Sequence, residues 1–165
     1  MLKTFILAAA TLALLGAPAL AKTFPIPADN PIATVTFPDK WTLNDYDGGA
    51  EATSPDGAVY IAAESVAAAD IKSAVEDGVT FFSKQDVDID PNAIQSKDTT
   101  LNGMKAFDLQ MGGKDKNGPT TVGMTMVETN AQGKFLILYY WGSEAGAAAN
   151  KADIQSVGAS VQATK

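Results

Sequence analysis

The acidic run Asp86-Val87-Asp88-Ile89-Asp90-Pro91-Asn92 has residue types and spacing that suggest chemistry. Three carboxylates at alternate positions, followed by an amide, are the hard oxygen ligands that Ca2+ takes, and D-x-D-x-D opens an EF-hand loop. The pattern then fails twice. Its sixth position is Pro91, where the turn needs Gly, and its twelfth is Lys97, where the bidentate ligand is Glu. A calcium site of another kind on Asp86, Asp88 and Asp90 would still have suitable ligands. The plainer reading is a solvated strand or loop with Val87 and Ile89 turned inward.

Other chemistry is thinner. The carboxylates Asp45, Asp47, Glu51 and Glu64 could pair for glycoside hydrolysis, which depends on a spatial separation that sequence does not give. Met124 and Met126, with Met104 and Met111 nearby, are thioethers of the kind that bind Cu(I). They alternate with Thr125, however, which is the pattern of a strand filling a core. Nucleophilic catalysis lacks its parts. The chain has no His and no Cys, and no Lys lies three residues after a Ser, so Ser-His-Asp, Cys-His and Ser-x-x-Lys arrangements are all missing. Gly112-Gly113 and Gly118 read as hairpin glycines, because no strand-to-helix turn follows them. No catalytic residue is expected, and no cofactor beyond Ca2+. A small hydrolase is the lesser reading.

Aromatic residues are the remaining candidates. Trp41, Tyr46 and Tyr60 fall on the first strands, and Tyr139, Tyr140 and Trp141 end an apolar run. Rings of this kind either cap a core at strand ends or present an amphipathic surface to a partner. Trp41, Tyr46, Tyr139, Tyr140 and Trp141 are the residues to expect on such a surface.

The segments that position these residues follow from charge and period. Residues 1–21 read as a cleavable export signal: Lys3, an apolar stretch from Phe5 to Leu15, and a cut after Ala21 in Ala19-Leu20-Ala21. The stretch falls short of the ~20 residues of a membrane span, so residues 22–165 are expected to be periplasmic or secreted, without stable membrane insertion. All 12 basic residues are Lys against 19 acids, for a net charge of −7. A chain without Arg and with this acidity is a poor partner for nucleic acid. Residues 22–32, with Pro25, Pro27 and Pro31, predict an extended arm, and 33–165 a single domain. Val35 and Phe37 alternate with Thr34 and Thr36 in a first strand. Residues 41–46 and 50–53 predict a hairpin, Ser54-Pro55-Asp56-Gly57 a β-turn, and 58–66 a fourth strand. Ile71, Ala74, Val75, Gly78 and Phe82 share one helical stripe, predicting a helix near 69–85 with Asp70 at its N-cap. Strands follow at 106–111, 120–128 and 135–141. The last is apolar on both faces, as a central covered strand would be. A closing helix is predicted near 147–163. The fold class is α+β: a mostly antiparallel sheet of about six to seven strands, sandwiched between helices.

The element order, the Phe37-Pro38-Asp39-Lys40-Trp41 bend, the Ser54-Pro55-Asp56-Gly57 hairpin and the meander closing on Tyr139-Tyr140-Trp141 together resemble the PsbP-like superfamily. That group includes the extrinsic oxygen-evolving-complex protein of photosystem II, a Ran-binding nuclear import factor and bacterial envelope proteins. The resemblance covers most of 33–163. It implies an α/β/α sandwich that serves as a binding or accessory module, here for another envelope protein. The metal-binding histidines of the photosynthetic branch have no counterpart, because this chain has no histidine. The alternative function is calcium or small-ligand binding through Asp86–Asp90.

Overall fold

The computed structural model describes residues 21–164; the export-signal reading of residues 1–21 therefore lies almost wholly outside the described residues. Ten strands and three helices follow in order: β1 (Ala21–Ile26), β2 (Ala33–Pro38), β3 (Thr42–Tyr46), β4 (Gly49–Thr53), β5 (Val59–Ala67), α1 (Ile71–Lys84), β6 (Asp88–Leu101), β7 (Met104–Asp115), β8 (Gly118–Glu128), β9 (Lys134–Ser143), α2 (Glu144–Ala149), α3 (Lys151–Ser160) and β10 (Gln162–Ala163). Seven strands make one antiparallel sheet in the order β3-β4-β5-β9-β8-β7-β6, and β1-β2-β10 make a small second sheet. The fold is α+β and mostly antiparallel.

Strand alternation explains the layers. Along β9, Leu136, Leu138 and Tyr140 point to one side and Ile137, Tyr139 and Trp141 to the other. The first side meets β1, β2 and α3 in a core containing Phe24, Ile26, Val35, Phe37, Trp41, Val157 and Val161. The second meets α1, where Phe82 packs with Met111, Val122, Met124, Met126 and Ile137. Full burial of an apolar side chain of this size contributes about 1.5–3 kcal/mol, so both cores are needed. The two-sided apolar run at 135–141 is indeed the central β9, flanked by β5 and β8. Met124 and Met126 are core, at 0% and 8% exposed.

Four local features differ from the sequence reading or sharpen it. The Pro-rich segment is extended, but its first half is β1 paired along β2, with Phe24, Ile26 and Ile32 buried; it belongs to the fold and is not a free arm. Residues 88–101 form the long edge strand β6, paired with β7 around the Asn102-Gly103 turn, where both residues have positive φ (50° and 83°). The closing helix is two helices broken at Asn150, whose amide donates to the Asp56 carboxylate at 3.0 Å and to the Gly146 carbonyl at 3.0 Å. Asp70 precedes α1 as expected, at the end of a 3-10 turn, but its side chain caps no backbone amide.

Candidate functional site

A cleft of about 400 Å³ opens between α1 and the outer strands β3, β4 and β5, within the ~300–1,000 Å³ typical of small-molecule sites. Strand register builds its floor. Asn44 pairs with Glu51, Glu51 with Ala62 and Ala62 with Tyr139, so these four lie in one row across β3, β4, β5 and β9. The adjacent row runs Tyr46, Gly49, Glu64. Small residues at Gly49 and Ala62 leave the space. A methyl at Gly49 would meet Cζ and Oη of Tyr46 at 2.7 Å, so the Tyr46 ring lies across Gly49 toward Glu64. On the opposite wall, α1 contributes Asp77, Gly78 and Phe81. Gly78 seats the helix directly on the sheet, since a methyl there would lie 2.8 Å from Cε1 of Tyr139.

Polar contacts fix the side chains. The Tyr60 hydroxyl donates to Oε2 of Glu51 at 2.5 Å and the Asn44 amide donates to Oε1 at 3.1 Å, so both Glu51 oxygens are held. The Tyr60 ring stands 5.4 Å from that of Phe81, centroid to centroid, with 36° between the planes. The Tyr139 hydroxyl reaches the Ala74 carbonyl at 3.4 Å and also faces Glu64. Burial pushes the Glu64 carboxyl above its usual range; the Tyr139 hydroxyl opposes that shift and the Asp77 charge adds to it. Tyr46, Tyr60 and Tyr139 are all pushed well above the usual phenol range, first by burial. The next causes are the Glu64 charge for Tyr46 and Tyr139, and the hydrogen bond to Glu51 for Tyr60. All three stay protonated at neutral pH. They act as ring faces and donors, not as bases.

The aromatics named from sequence are scattered. Tyr46 is 37% exposed at the cleft mouth and Tyr139 forms part of its floor. Trp141 lies on the same sheet face, beyond the cleft, and donates to Asp115 at 3.1 Å. Tyr140 points to the other face, and Trp41 is only 3% exposed there, its indole N–H donating to Asp153 at 3.3 Å. Of the four acids weighed for hydrolysis, Glu51 and Glu64 meet in the cleft, while Asp45 and Asp47 do not line it. Asp77 and Phe81 were not singled out from sequence; the nearest signal is their place beside the Gly78 and Phe82 stripe, on the flank of α1.

The acidic run is dispersed differently. Asp86 takes a positive φ of 60° just past α1, a conformation Asp tolerates, and its N–H bonds the Ser83 carbonyl at 3.2 Å. Asp88 and Asp90 lie exposed on β6, and Oδ1 of Asp90 accepts from its neighbour Asn92 at 2.8 Å. Val87 is buried, as the plainer reading has it. Among the described residues no three acidic side chains stand close enough to hold a metal ion together.

No protein-family model and no curated protein matches the sequence. Solved structures do match. The cyanobacterial PsbP (CyanoP) of Synechocystis sp. PCC 6803 superposes with a TM-score of 0.57, over 94% of this chain and 99% of its own, at 12% identity. LpqN of Mycobacterium tuberculosis, involved in cell envelope biogenesis, gives 0.52 over 88% and 92%, at 15% identity. A protein of Bacteroides thetaiotaomicron VPI-5482 gives 0.54 at 14% identity over 87% of this chain, which spans 48% of that larger one. The chain has the PsbP-like fold that its element order implied. Identities this low establish the fold alone.

Proposed function

We propose that the chain is an exported, non-catalytic binding or accessory module of the cell envelope, and that it engages another protein through the cleft between α1 and β3–β5. The observation that carries this reading is the gathering of four rings, from Tyr46, Tyr60, Phe81 and Tyr139, around one open hollow, with no Ser, Thr or Lys among its lining residues. Tyr46 and Phe81 are each 37% exposed, and aromatic side chains partly out of water are typical of recognition surfaces. The export signal read in residues 1–21 supports the envelope location, and no helix among the described residues is long and apolar enough to cross a membrane. LpqN, which shares the fold, is involved in cell envelope biogenesis and offers a parallel.

The test is cross-linking and pull-down of the tagged chain from the organism that makes it. One envelope protein should be enriched with the wild type and lost with Tyr46→Ala or Phe81→Ala, while circular dichroism and melting stay native. Equal recovery by folded variants, or no specific partner, contradicts the reading. One observation favours a hydrolase instead: Glu64 is half-buried with a raised pKa beside Glu51, as a general acid would be. Turnover of aryl glycosides that disappears in Glu64→Gln would establish it. Calcium binding through Asp86, Asp88 and Asp90 is a separate proposal, and a melt in calcium against chelator decides it.

A further inference from the structure

We infer that the cleft takes a positively charged alkylammonium group, held over the rings of Tyr46, Tyr60 and Phe81 and facing Glu64 and Asp77. This rests on the cleft being the recognition surface. Glu51, Glu64 and Asp77 border the hollow, and none of its lining side chains is cationic. Lys72, on the same helix as Asp77, is 89% exposed and sits 3.7 Å from Glu76. An anion would meet uncompensated negative charge. Of the donors around the hollow, the Tyr60 hydroxyl is given to Glu51, and that of Tyr139 is shared between the Ala74 carbonyl and Glu64. A neutral apolar ligand would shut water away from the half-buried Glu64 and bring no charge to offset that of the carboxylate, which is costly.

A bare metal ion fits no better. It needs several oxygens converging at about 2–2.6 Å, and no three acids among the described residues converge in that way. The carboxylates border a space of about 400 Å³ rather than a point. An organic cation suits such a space, because its charge is spread over carbon and hydrogen that pack on aromatic faces. The electron-rich face of a Tyr or Phe ring attracts a cation, most strongly when both are out of water. The Tyr60 and Phe81 rings stand 5.4 Å apart, tilted by 36°, at the border of the hollow. Phe81 is 37% exposed at the mouth, packed on Tyr60 and Phe82, and its ring is open to such a contact. The ammonium can come from a free small molecule or from a lysine of the protein partner; the chemistry is shared and the experiment separates the two.

The experiment is a titration of the 15N-labelled protein followed at the backbone amides of Gly49, Ala62 and Gly78. Two matched pairs of ligand are used: choline with its neutral isostere 3,3-dimethylbutanol, and N-acetyl-lysine methylamide with the norleucine equivalent. The cation of at least one pair should shift these amides and bind about tenfold or more tightly than its neutral partner, the difference one partly desolvated charge supplies. Added salt should weaken it, and Glu64→Gln should weaken it about tenfold. Preference for the lysine derivative assigns the site to a partner's side chain; preference for choline assigns it to a free quaternary ammonium. Cation and isostere binding equally, or no shift from either cation in the folded wild type, overturns the inference. Because the isostere comparison uses the wild type, it does not depend on any variant folding. If the cations fail while partner capture still depends on Tyr46, the ammonium assignment falls and the recognition reading stands. If capture is also independent of Tyr46, both fall.

Discussion

Replacing Gly78 by alanine gives opposite signs for two physical effects. Gly78 lies in the interior of α1, and helix propensity alone favours Ala there by about 1 kcal/mol. Packing argues the other way. The new methyl would stand 2.7 Å from Cε of Met124 and 2.8 Å from Cε1 of Tyr139, against about 3.4 Å for ordinary contact, so about 0.6–0.7 Å must be found. Cε of Met124 is the flexible end of its side chain, although Met124 is 0% exposed; Tyr139 is the stiffer neighbour, held on the sheet with its hydroxyl 3.4 Å from the Ala74 carbonyl. Overpacking of this kind costs about 1–3 kcal/mol, leaving a net loss of about 1 kcal/mol and a Tm lower by about 2–4 °C. Gly158 in α3 is the control: a methyl there meets nothing within 4 Å, so Gly158→Ala should gain about 0.5–1 kcal/mol. Urea and thermal unfolding followed by circular dichroism measure both. If Gly78→Ala raises Tm as Gly158→Ala does, the close seating of α1 on Tyr139, and the shape of the cleft it defines, are wrong.

Glu64→Gln tests the electrostatics. Burial raises the Glu64 pKa in the folded protein above its ordinary 4.5, so the folded state binds the extra proton and wild-type stability falls as pH rises from that value through the raised one. The variant should match the wild type below pH 4.5 and melt above it at pH 7; a difference constant with pH would refute the assignment. Asn102 holds a positive φ of 50° while its amide donates to the carbonyls of Gly158 and Val161 at 2.9 and 2.8 Å. Asn102→Gly loses only those bonds, at about 1 kcal/mol, and Asn102→Ala should lose about 1 kcal/mol more for the left-handed backbone; Ala equal to or better than Gly in a melt contradicts this. Calcium against chelator should leave Tm unchanged, whereas a gain of about 2.7 kcal/mol at hundredfold excess over Kd would establish a site on the acidic run.

The elements legible in the sequence are those that bury one face or both. Val35 and Phe37, the stripe ending at Phe82, and the two-sided run from Phe135 to Trp141 each carry a period that only a core demands. The strand β6 carries no such signal because it is an edge: most of its residues are exposed, so its composition reflects solvent. The Asn102-Gly103 pair is a strong hairpin signal, but the reading of the sequence did not use it. Pro25 conceals β1 in the same manner, since an edge strand tolerates proline that a central one does not. The cleft was legible as residue types and not as a place. Tyr46, Glu51, Glu64 and Tyr139 are far apart along the chain, and they meet through the register of four strands. Trp41 shows the converse: a large ring that composition alone offers to a surface is in fact core.

The most direct measurement of the central claim is site-specific photo-cross-linking in the producing organism, with the photoreactive residue at position 81 and, as control, at the exposed Gln132, away from the cleft. A recognition module working through the cleft predicts one envelope protein attached from position 81 and none from position 132. Attachment from position 132 alone, or the same products from both positions, would contradict it.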